Sequence, residues 1–517
     1  MTKSFLKYYI SQEIQNQMDE IENKILDIKN ISKRYGGVQA LKQVDFSLNS
    51  GEIHCLVGEN GSGKSTLIKI VSGIEQPESG AIIFINGKQE LRLNPIKSIQ
   101  RGIQVIYQDL SLFPNLTVAE NIAVHNYSKG NLKKVNWKKT KKLSIDTLSK
   151  IKLNLDPNRL VSSLSIANRQ LVAICRAIAT NAKLIIMDEP TSSLARHEID
   201  TLFSIIKELQ KTGITILFVS HKLNEIMEIS ERVTILRDGV KVGLFDRKDI
   251  DDKKLAYLMT GKKFSQEKLT EKVKKEKILL EVKNLSKKSN YKDINFKLHE
   301  GEVLGIIGIT GSGRTELAFS LFGINPPDSG DIIIEQKKVN FKSNEEALEA
   351  GIGYVPEDRI EQGLIMDQSI NNNITVTILK KLLNYLKMID DKRQLKTTNH
   401  WVDSLTIRTS DIKNLVRTLS GGNQQKIVLA KWLATTPKIL ILDSPTVGID
   451  IAAKHGLYEI MRELSKRKIG IILISDEVPE VLYNCHRFLL MRKGIIVKEF
   501  QPDEISENEL GNKIIEV

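Results

Sequence analysis

The sequence predicts an α/β fold made of two tandem copies of one P-loop domain. The first observation is Gly58-Glu59-Asn60-Gly61-Ser62-Gly63-Lys64-Ser65-Thr66, which carries G-x-x-x-x-G-K-S between an apolar run at 53–57 and a helix-like run. Glycines let a backbone turn its N–H groups inward as an anion nest. The helix N-terminus that follows adds partial positive charge toward the same anion. The second observation is the return of this arrangement as Gly308-Ile309-Thr310-Gly311-Ser312-Gly313-Arg314-Thr315. The third is Leu184-Ile185-Ile186-Met187-Asp188, an apolar run that suits a buried parallel strand and delivers an aspartate to the sheet's C-terminal end. Its match in the second copy ends at Asp443.

Bulk properties agree with two copies. At 517 residues the chain is too long for one core, and 41% apolar content suits a globular protein. No apolar run approaches the roughly 18 residues of a membrane-spanning helix. The N-terminus lacks the basic, apolar, small-residue order of a signal peptide. Cys55, Cys175 and Cys485 stand far apart, make no metal spacing, and read as buried thiols of a reducing compartment. A net charge of +13 is compatible with nucleic acid or an anionic membrane surface, and equally with a composition rich in Lys, Asn and Ile.

Taken in order, the chain opens with an N-terminal extension, 1–24, where Leu6, Ile10, Ile14 and Met18 have the spacing of a weak amphipathic helix. The first domain is expected over 25–262. Short alternating runs at 25–28 and 44–48 precede the phosphate loop. Tyr35 lies between them and is a candidate to stack on a base. A strand at 81–85 and a turn at Asn86-Gly87 come after the loop. Gln108 ends another apolar run and is placed to enter a site from a strand end. Pro114-Asn115-Leu116-Thr117 opens a helical stretch through Asn121. Residues 128–150 hold eight lysines against one acidic residue and suit a solvated helical arm.

Glu189 follows Asp188 and is a candidate to polarise an attacking water. Leu217-Phe218-Val219-Ser220-His221 is a further strand, whose His221 is a candidate to touch a terminal phosphate or orient the water. Residues 263–277, rich in Lys and Glu, are the expected linker. The second domain is expected over 278–505, with a tail at 506–517. Gly51 pairs with Gly301 and Asp188 with Asp443, so the offset between copies stays close to constant.

Leu419-Ser420-Gly421-Gly422-Asn423-Gln424-Gln425 completes an ordered set with the phosphate loop, Gln108, Asp188-Glu189-Pro190 and Ser220-His221. Together these resemble the ATP-binding cassette ATPases over about residues 25–505. The resemblance implies two cassettes, each with a RecA-like core, a β-rich nucleotide-binding subdomain and a helical signature subdomain. It implies ATP and Mg²⁺ as ligands. It also implies head-to-tail packing, with each ATP between the phosphate loop of one cassette and the signature of the other.

Crossing the motifs gives two unlike sites. Site one takes Tyr35, residues Gly58 to Thr66, Gln108, Asp188, Glu189 and His221 from the first half, and Ser420, Gly421, Gly422 and Asp450 from the second. Lys64, Gln108, Glu189 and His221 are its expected catalytic group, and Ser65, Gln108 and Asp188 its Mg²⁺ ligands. Site two takes Gly308, Gly311, Gly313, Arg314 and Thr315, with Thr315 and Asp443 as its Mg²⁺ candidates. There Glu357 stands for the glutamine, Ser444 for the carboxylate and Asp476 for the histidine. Its signature is the altered Leu164-Ser165-Ile166-Ala167-Asn168-Arg169-Gln170, and Ala195 stands where the other half has Asp450. Arginine does not replace lysine in kind, and a serine is no carboxylate. Site two is expected to bind nucleotide and hydrolyse it poorly or not at all.

That asymmetry is similar to the fused double ATPases of bacterial monosaccharide importers for ribose, galactose or xylose. Tyr354-Val355-Pro356-Glu357-Asp358-Arg359, Gln362-Gly363-Leu364 and Gly448-Ile449-Asp450-Ile451-Ala452-Ala453-Lys454 resemble that group closely. Ser444 departs from it, since members usually keep an acidic residue there. Leu112-Phe113-Pro114-Asn115-Leu116-Thr117-Val118 resembles the branch that imports autoinducer-2. The likeness implies integral membrane permease subunits, a dimer, as partners, with an extracytoplasmic sugar-binding protein in the complex. It implies no direct contact with sugar or nucleic acid, and a peripheral place on the cytoplasmic face of the cell membrane. The competing class is a soluble double-cassette ATPase acting on ribosomes or nucleic acid. Its translation-factor form carries a long helical linker, for which the passage from Val242 to Ile278 has no room. Its DNA-repair form carries coiled-coil or zinc insertions, and neither occurs here.

Overall fold

The computed structural model describes residues 23–127, 135–192, 194, 196–262, 268–269 and 277–515. The extension at 1–22, Ala195 and most of the expected linker lie outside the described residues, as do positions 128–134 of the lysine-rich arm. The chain divides into two compact units, 1–264 and 265–517.

Each unit has the same two sheets. In the first, β1 (Lys24–Tyr35), β2 (Val38–Asn49), β4 (Ile82–Ile85) and β5 (Lys88–Gln89) form an antiparallel sheet in the order β2-β1-β4-β5. A six-stranded sheet runs β10-β9-β3-β8-β7-β6, from β3 (Ile53–Val57), β6 (Ile103–Ile106), β7 (Leu184–Asp188), β8 (Thr215–Ser220), β9 (Arg232–Arg237) and β10 (Val240–Asp246). Its strands are parallel except at the β9–β10 edge. β3, β7 and β8 are apolar nearly throughout and buried on both faces, as parallel strands covered by helices must be.

The second unit repeats this with β12-β11-β14-β15 and β16-β17-β18-β13-β19-β20. Those strands are β11 (Ile278–Lys287), β12 (Tyr291–His299), β13 (Val303–Ile307), β14 (Ser329–Ile334), β15 (Lys337–Val339), β16 (Ile352–Val355), β17 (Ile439–Asp443), β18 (Gly470–Ser475), β19 (Arg487–Arg492) and β20 (Ile495–Phe500). In each unit one buried cluster fills the space between the two sheets. Leu26, Phe46, Leu56 and Leu184 belong to it in the first unit, and Leu280, Phe296, Ile306 and Ile441 in the second. The helices bearing the two signatures, Ile166–Ala179 and Gly421–Leu433, belong to the helical part of each unit.

Some element limits differ from those read in the sequence. The runs at 25–28 and 44–48 are the buried-face portions of long strands that continue to Tyr35 and from Val38. Register shifts in the β1–β2 pair interrupt the alternation there and shorten its visible part. The helix expected from 114 begins only at Val118 and extends to Tyr127. Thr117 and Glu120 cap it reciprocally: Thr117 N–H donates to Glu120 Oε2 at 2.7 Å, and Glu120 N–H to Thr117 Oγ1 at 3.3 Å. All three cysteines are buried, and burial pushes the Cys175 thiol up to about 12.

Candidate functional site

The phosphate loop links β3 to helix Lys64–Val71, and its shape depends on glycine. Gly63 caps that helix at φ 104°, and a Cβ there would lie 2.6 Å from the Ala40 carbonyl oxygen. A Cβ at Gly58 would lie 2.2 Å from the Leu236 carbonyl oxygen. Asn60, Gly61 and Ser65 are exposed on the open side, with Glu59 and Thr66 half-buried. Lys64 is buried, and its Nζ donates to the carbonyls of Gly58 and Glu59 at 2.8 and 2.9 Å. The ammonium thus lies folded back over the loop. Ser62 Oγ is buried and makes no hydrogen bond among the described residues. A loop with a folded-back cation and an orphaned hydroxyl fits a polyanionic ligand such as a nucleotide's phosphates.

β7 ends at Asp188, and burial pushes this carboxyl up to about 6, with the Glu189 charge adding to the rise and Lys64 opposing it. A cation placed there would remove that penalty, so the donor set fits Mg²⁺. Glu189 turns at φ 47°, and its N–H donates to the Val219 carbonyl at 2.9 Å. His221 Nδ1 lies 2.9 Å from Glu189 Oε1. Burial alone would raise the Glu189 carboxyl, but the His221 hydrogen bond and charge outweigh it and hold it below its usual range. Gln108 stands exposed just past β6, the neighbour of β7. Tyr35 ends β1, 40% exposed, with Lys33 Nζ 5.2 Å from its ring centroid.

The second unit builds the same frame with other chemistry. Gly313 caps helix Arg314–Leu321 at φ 94°, and a Cβ at Gly308 would lie 2.4 Å from the Met491 carbonyl oxygen. Gly311 is exposed, Thr315 half-buried, and the buried Ser312 Oγ makes no hydrogen bond among the described residues. Arg314 is buried, donates to the Gly308 carbonyl, and pairs with Asp476 at 3.8 Å. So the strand-end residue that meets the glutamate in the first unit is replaced by one that meets the loop cation. Asp443 is fully buried and receives a hydrogen bond from Tyr354 Oη at 3.1 Å. Burial pushes its carboxyl up to about 6 although that hydrogen bond opposes the rise.

The two signatures also differ. Ser165 caps its own helix, its Oγ accepting from the Asn168 N–H at 3.3 Å. Ser420 makes no such cap and instead accepts from the Asn423 side chain at 3.1 Å, ahead of the half-buried Gly421 and Gly422. That leaves the first N–H groups of helix Gly421–Leu433 without a side-chain cap from Ser420. Asp450 caps helix Ile451–Lys466 through the Ala453 N–H at 2.9 Å.

Sequence reasoning missed a pair of buried carboxylates behind these strand ends. Glu225 accepts from Thr191 Oγ1 at 2.7 Å and Ser220 Oγ at 3.0 Å, and Glu480 accepts from Ser475 Oγ at 2.5 Å. The available signal was their equal spacing after Ser220 and Ser475 in the two copies.

The family described as "ABC transporter" matches residues 41–192 and 291–447. Among curated proteins, the ribose import ATP-binding protein RbsA of Clostridium perfringens is 41% identical over 488 residues, covering 94% of this chain and 97% of that one. The same-named protein of Clostridium tetani is 41% identical over 491 residues, covering 95% and 97%. That of Shouchella clausii is 40% identical over 490 residues, covering 94% and 97%. With two matched segments, one per unit and each containing its phosphate loop, the chain belongs to the ABC transporter family.

Proposed function

We propose that this chain is the ATP-hydrolysing subunit of a sugar importer, with one complete ATP site and one that does not turn over. The observation that carries the asymmetry is the Glu189–His221 pair at 2.9 Å in the first unit, against Ser444 and the Arg314–Asp476 pair in the second. The sugar-import reading rests on the relatives, whose names state ribose import. The domain limits 25–262 and 278–505 belong to this reading.

At site one, Lys64 leaves its two loop carbonyls and meets the β- and γ-phosphates. Ser62 and the loop N–H groups satisfy phosphate oxygens. Ser65, Asp188 and Gln108 would hold magnesium, which would neutralise charge on the phosphate oxygens. Glu189 accepts a hydrogen bond from the attacking water, and His221 fixes that carboxylate's orientation. Ser420, Gly421 and Gly422 are the signature residues that the family resemblance assigns to ATP, and Tyr35 stacks on the base. Site two holds nucleotide on Gly308, Gly311, Gly313, Arg314 and Thr315, and Asp443 is its magnesium candidate.

Among the described residues no helix is long and apolar enough to cross a membrane. In this reading the chain is therefore held at the cytoplasmic face by a separate permease dimer, which works with an extracytoplasmic sugar-binding protein. The docking segments lie near 109–121 and 359–373. Cell fractionation with and without the permease genes tests this. The subunit moves to the soluble fraction without permease. Retention on membranes would contradict the reading and point to direct lipid binding through the lysines.

A further inference from the structure

Behind the Glu189–His221 pair, one buried carboxylate ties together the two segments that carry it. Glu225 lies on the short helix Leu223–Ile229, which follows β8, and is 3% exposed. Its Oε2 accepts from Thr191 Oγ1 at 2.7 Å and from Ser220 Oγ at 3.0 Å. Thr191 comes two residues after Glu189, and Ser220 directly precedes His221. One hydroxyl from each strand end thus converges on the same oxygen. The other oxygen, Oε1, lies 3.1 Å from Lys222 Nζ. That ammonium also donates to the Thr191 carbonyl at 3.2 Å, and the Lys222 N–H donates to Ser220 Oγ at 3.1 Å. A carboxylate buried this deeply is costly unless its lone pairs are met, and here two hydroxyls and a cation meet them. The β7–β8 ladder ends at Asp188 and Val219, with one further bond from the Glu189 N–H to the Val219 carbonyl. Past that point the Glu225 knot carries the connection.

The second unit keeps the carboxylate and lacks the cation. Glu480 stands where Glu225 does, counting from Asp443 and Asp188, and accepts from Ser475 Oγ at 2.5 Å. Glu477 stands where Lys222 does, and it pairs with Lys454, whose Nζ donates to its two oxygens at 2.7 and 2.8 Å. Glu480 Oε1 makes no hydrogen bond among the described residues. Burial, with the Glu477 charge adding to it, pushes the Glu480 carboxyl up to about 7. The lysine-locked knot therefore occurs in the unit that has a glutamate–histidine pair to hold. Its unlocked form occurs where Ser444 and Asp476 stand in place of that pair.

We infer that Glu225, locked by Lys222, is a positioning residue for hydrolysis: it fixes where Glu189 and His221 stand relative to one another, and so aims the carboxylate that accepts the water's hydrogen bond. This rests on the role given to Glu189 under the proposed function, and it uses contacts within the first unit alone. Misplacing a positioned group by about 1 Å costs roughly 10²-fold in rate, so a partial loosening of the knot should cost about tenfold. An amide in place of the carboxylate accepts on one side only. Glu225→Gln therefore keeps either the two hydroxyls or the lysine, not both.

The test uses the full chain with its permease in lipid vesicles. ATP turnover and KM are compared for wild type, Glu225→Gln, Lys222→Met, Glu189→Gln, the double variant Glu225→Gln with Glu189→Gln, and Glu480→Gln as the matched control. Glu225→Gln and Lys222→Met are each expected to lower kcat by about tenfold, with KM for ATP within about twofold of wild type. The Lys222 side chain is 41% exposed, so its variant still reads the lock if Glu225→Gln fails to fold. On top of Glu189→Gln, Glu225→Gln is expected to slow the rate by no more than about twofold, because residues that act as a unit are not additive. Glu480→Gln is expected to match wild type. Losses that multiply in the double variant would overturn the inference, since Glu225 would then act on something other than Glu189. So would a loss carried by KM, full turnover in Lys222→Met, or an equal loss in Glu480→Gln, which would mark a merely structural tie. Wild-type turnover in Glu189→Gln would overturn the role proposed for Glu189, and the inference with it.

Discussion

Glu189 and Ser444 occupy the same backbone position in their two units. Their φ angles are 47° and 45°, and their N–H groups donate to Val219 and Ile474 carbonyls at 2.9 and 2.8 Å. One carries a carboxylate oriented by His221, the other a buried hydroxyl with no hydrogen bond among the described residues. The two units thus share this frame and differ in the chemistry placed on it.

Lys64→Ala is expected to abolish most ATP turnover, and Arg314→Ala far less. In the proposed reading Lys64 is the cation of the complete site, where charge develops on transferred phosphate oxygens. Arg314 already shares its charge with Asp476. Turnover of both variants with permease present checks this. Equal losses would contradict the asymmetry.

Gly63→Ala and Gly61→Ala separate steric from conformational cost in the phosphate loop. Gly61 has φ 83° with nothing within 4 Å of an added Cβ, so alanine there costs about 1 kcal/mol of backbone strain. Gly63 adds contacts of 2.6 and 2.7 Å to Ala40 and Leu41, so its cost should be clearly larger. Denaturant unfolding of both variants, with and without ATP, gives the comparison. ATP should stabilise the Gly61 variant and do little for the Gly63 variant.

Lys431 gives a pH dependence of stability. Its Nζ is buried, donates to the Gly363 carbonyl at 2.6 Å, and burial pushes its pKa down to about 8 from 10.5. Above 10.5 the amine is neutral folded or unfolded. As pH falls from 10.5 to 8, the unfolded chain takes up a proton that the folded chain resists, so stability falls. Below 8 both forms are charged and the cost is constant, at about 3 kcal/mol. Wild type should therefore gain stability relative to Lys431→Met between pH 8 and 10.5. Parallel pH profiles would contradict this assignment.

The frame of the fold was legible because buried parallel strands are apolar runs and phosphate loops need glycine at fixed offsets. Repetition made both certain enough to align Asp188 with Asp443. The limits of β1 were not legible, because its bulges break the alternation that marks a strand. The Thr117–Glu120 cap was legible in principle as a capping box, but Pro114 suggested an earlier start. For the site, residue types at motif positions were readable, whereas pairings across chain distance were not. No local pattern says that Asp476 meets Arg314, that Tyr354 donates to Asp443, or that Arg359 reaches Val447 and Gly448. Those contacts depend on strand order, which brings residues 89 positions apart together, as at Arg359 and Gly448.

The central claim is that hydrolysis occurs at one site, organised around Glu189. Glu189→Gln keeps shape and a hydrogen-bonding amide but removes the charge and most basicity. It should bind ATP and turn over roughly 10²-fold or more slowly, the scale of a positioned acid–base group. Ser444→Glu places a carboxylate in an equivalent frame, yet the second unit still has Asp476 on Arg314 and Glu357 for glutamine, and the signature assigned to site two, Ser165-Ile166-Ala167, lacks Gly-Gly. The decisive measurement is single-turnover ATP hydrolysis by the double variant, Glu189→Gln with Ser444→Glu. The account predicts a rate no higher than that of Glu189→Gln alone. A rate near wild type would show that the second site lacks one residue only, and would contradict it.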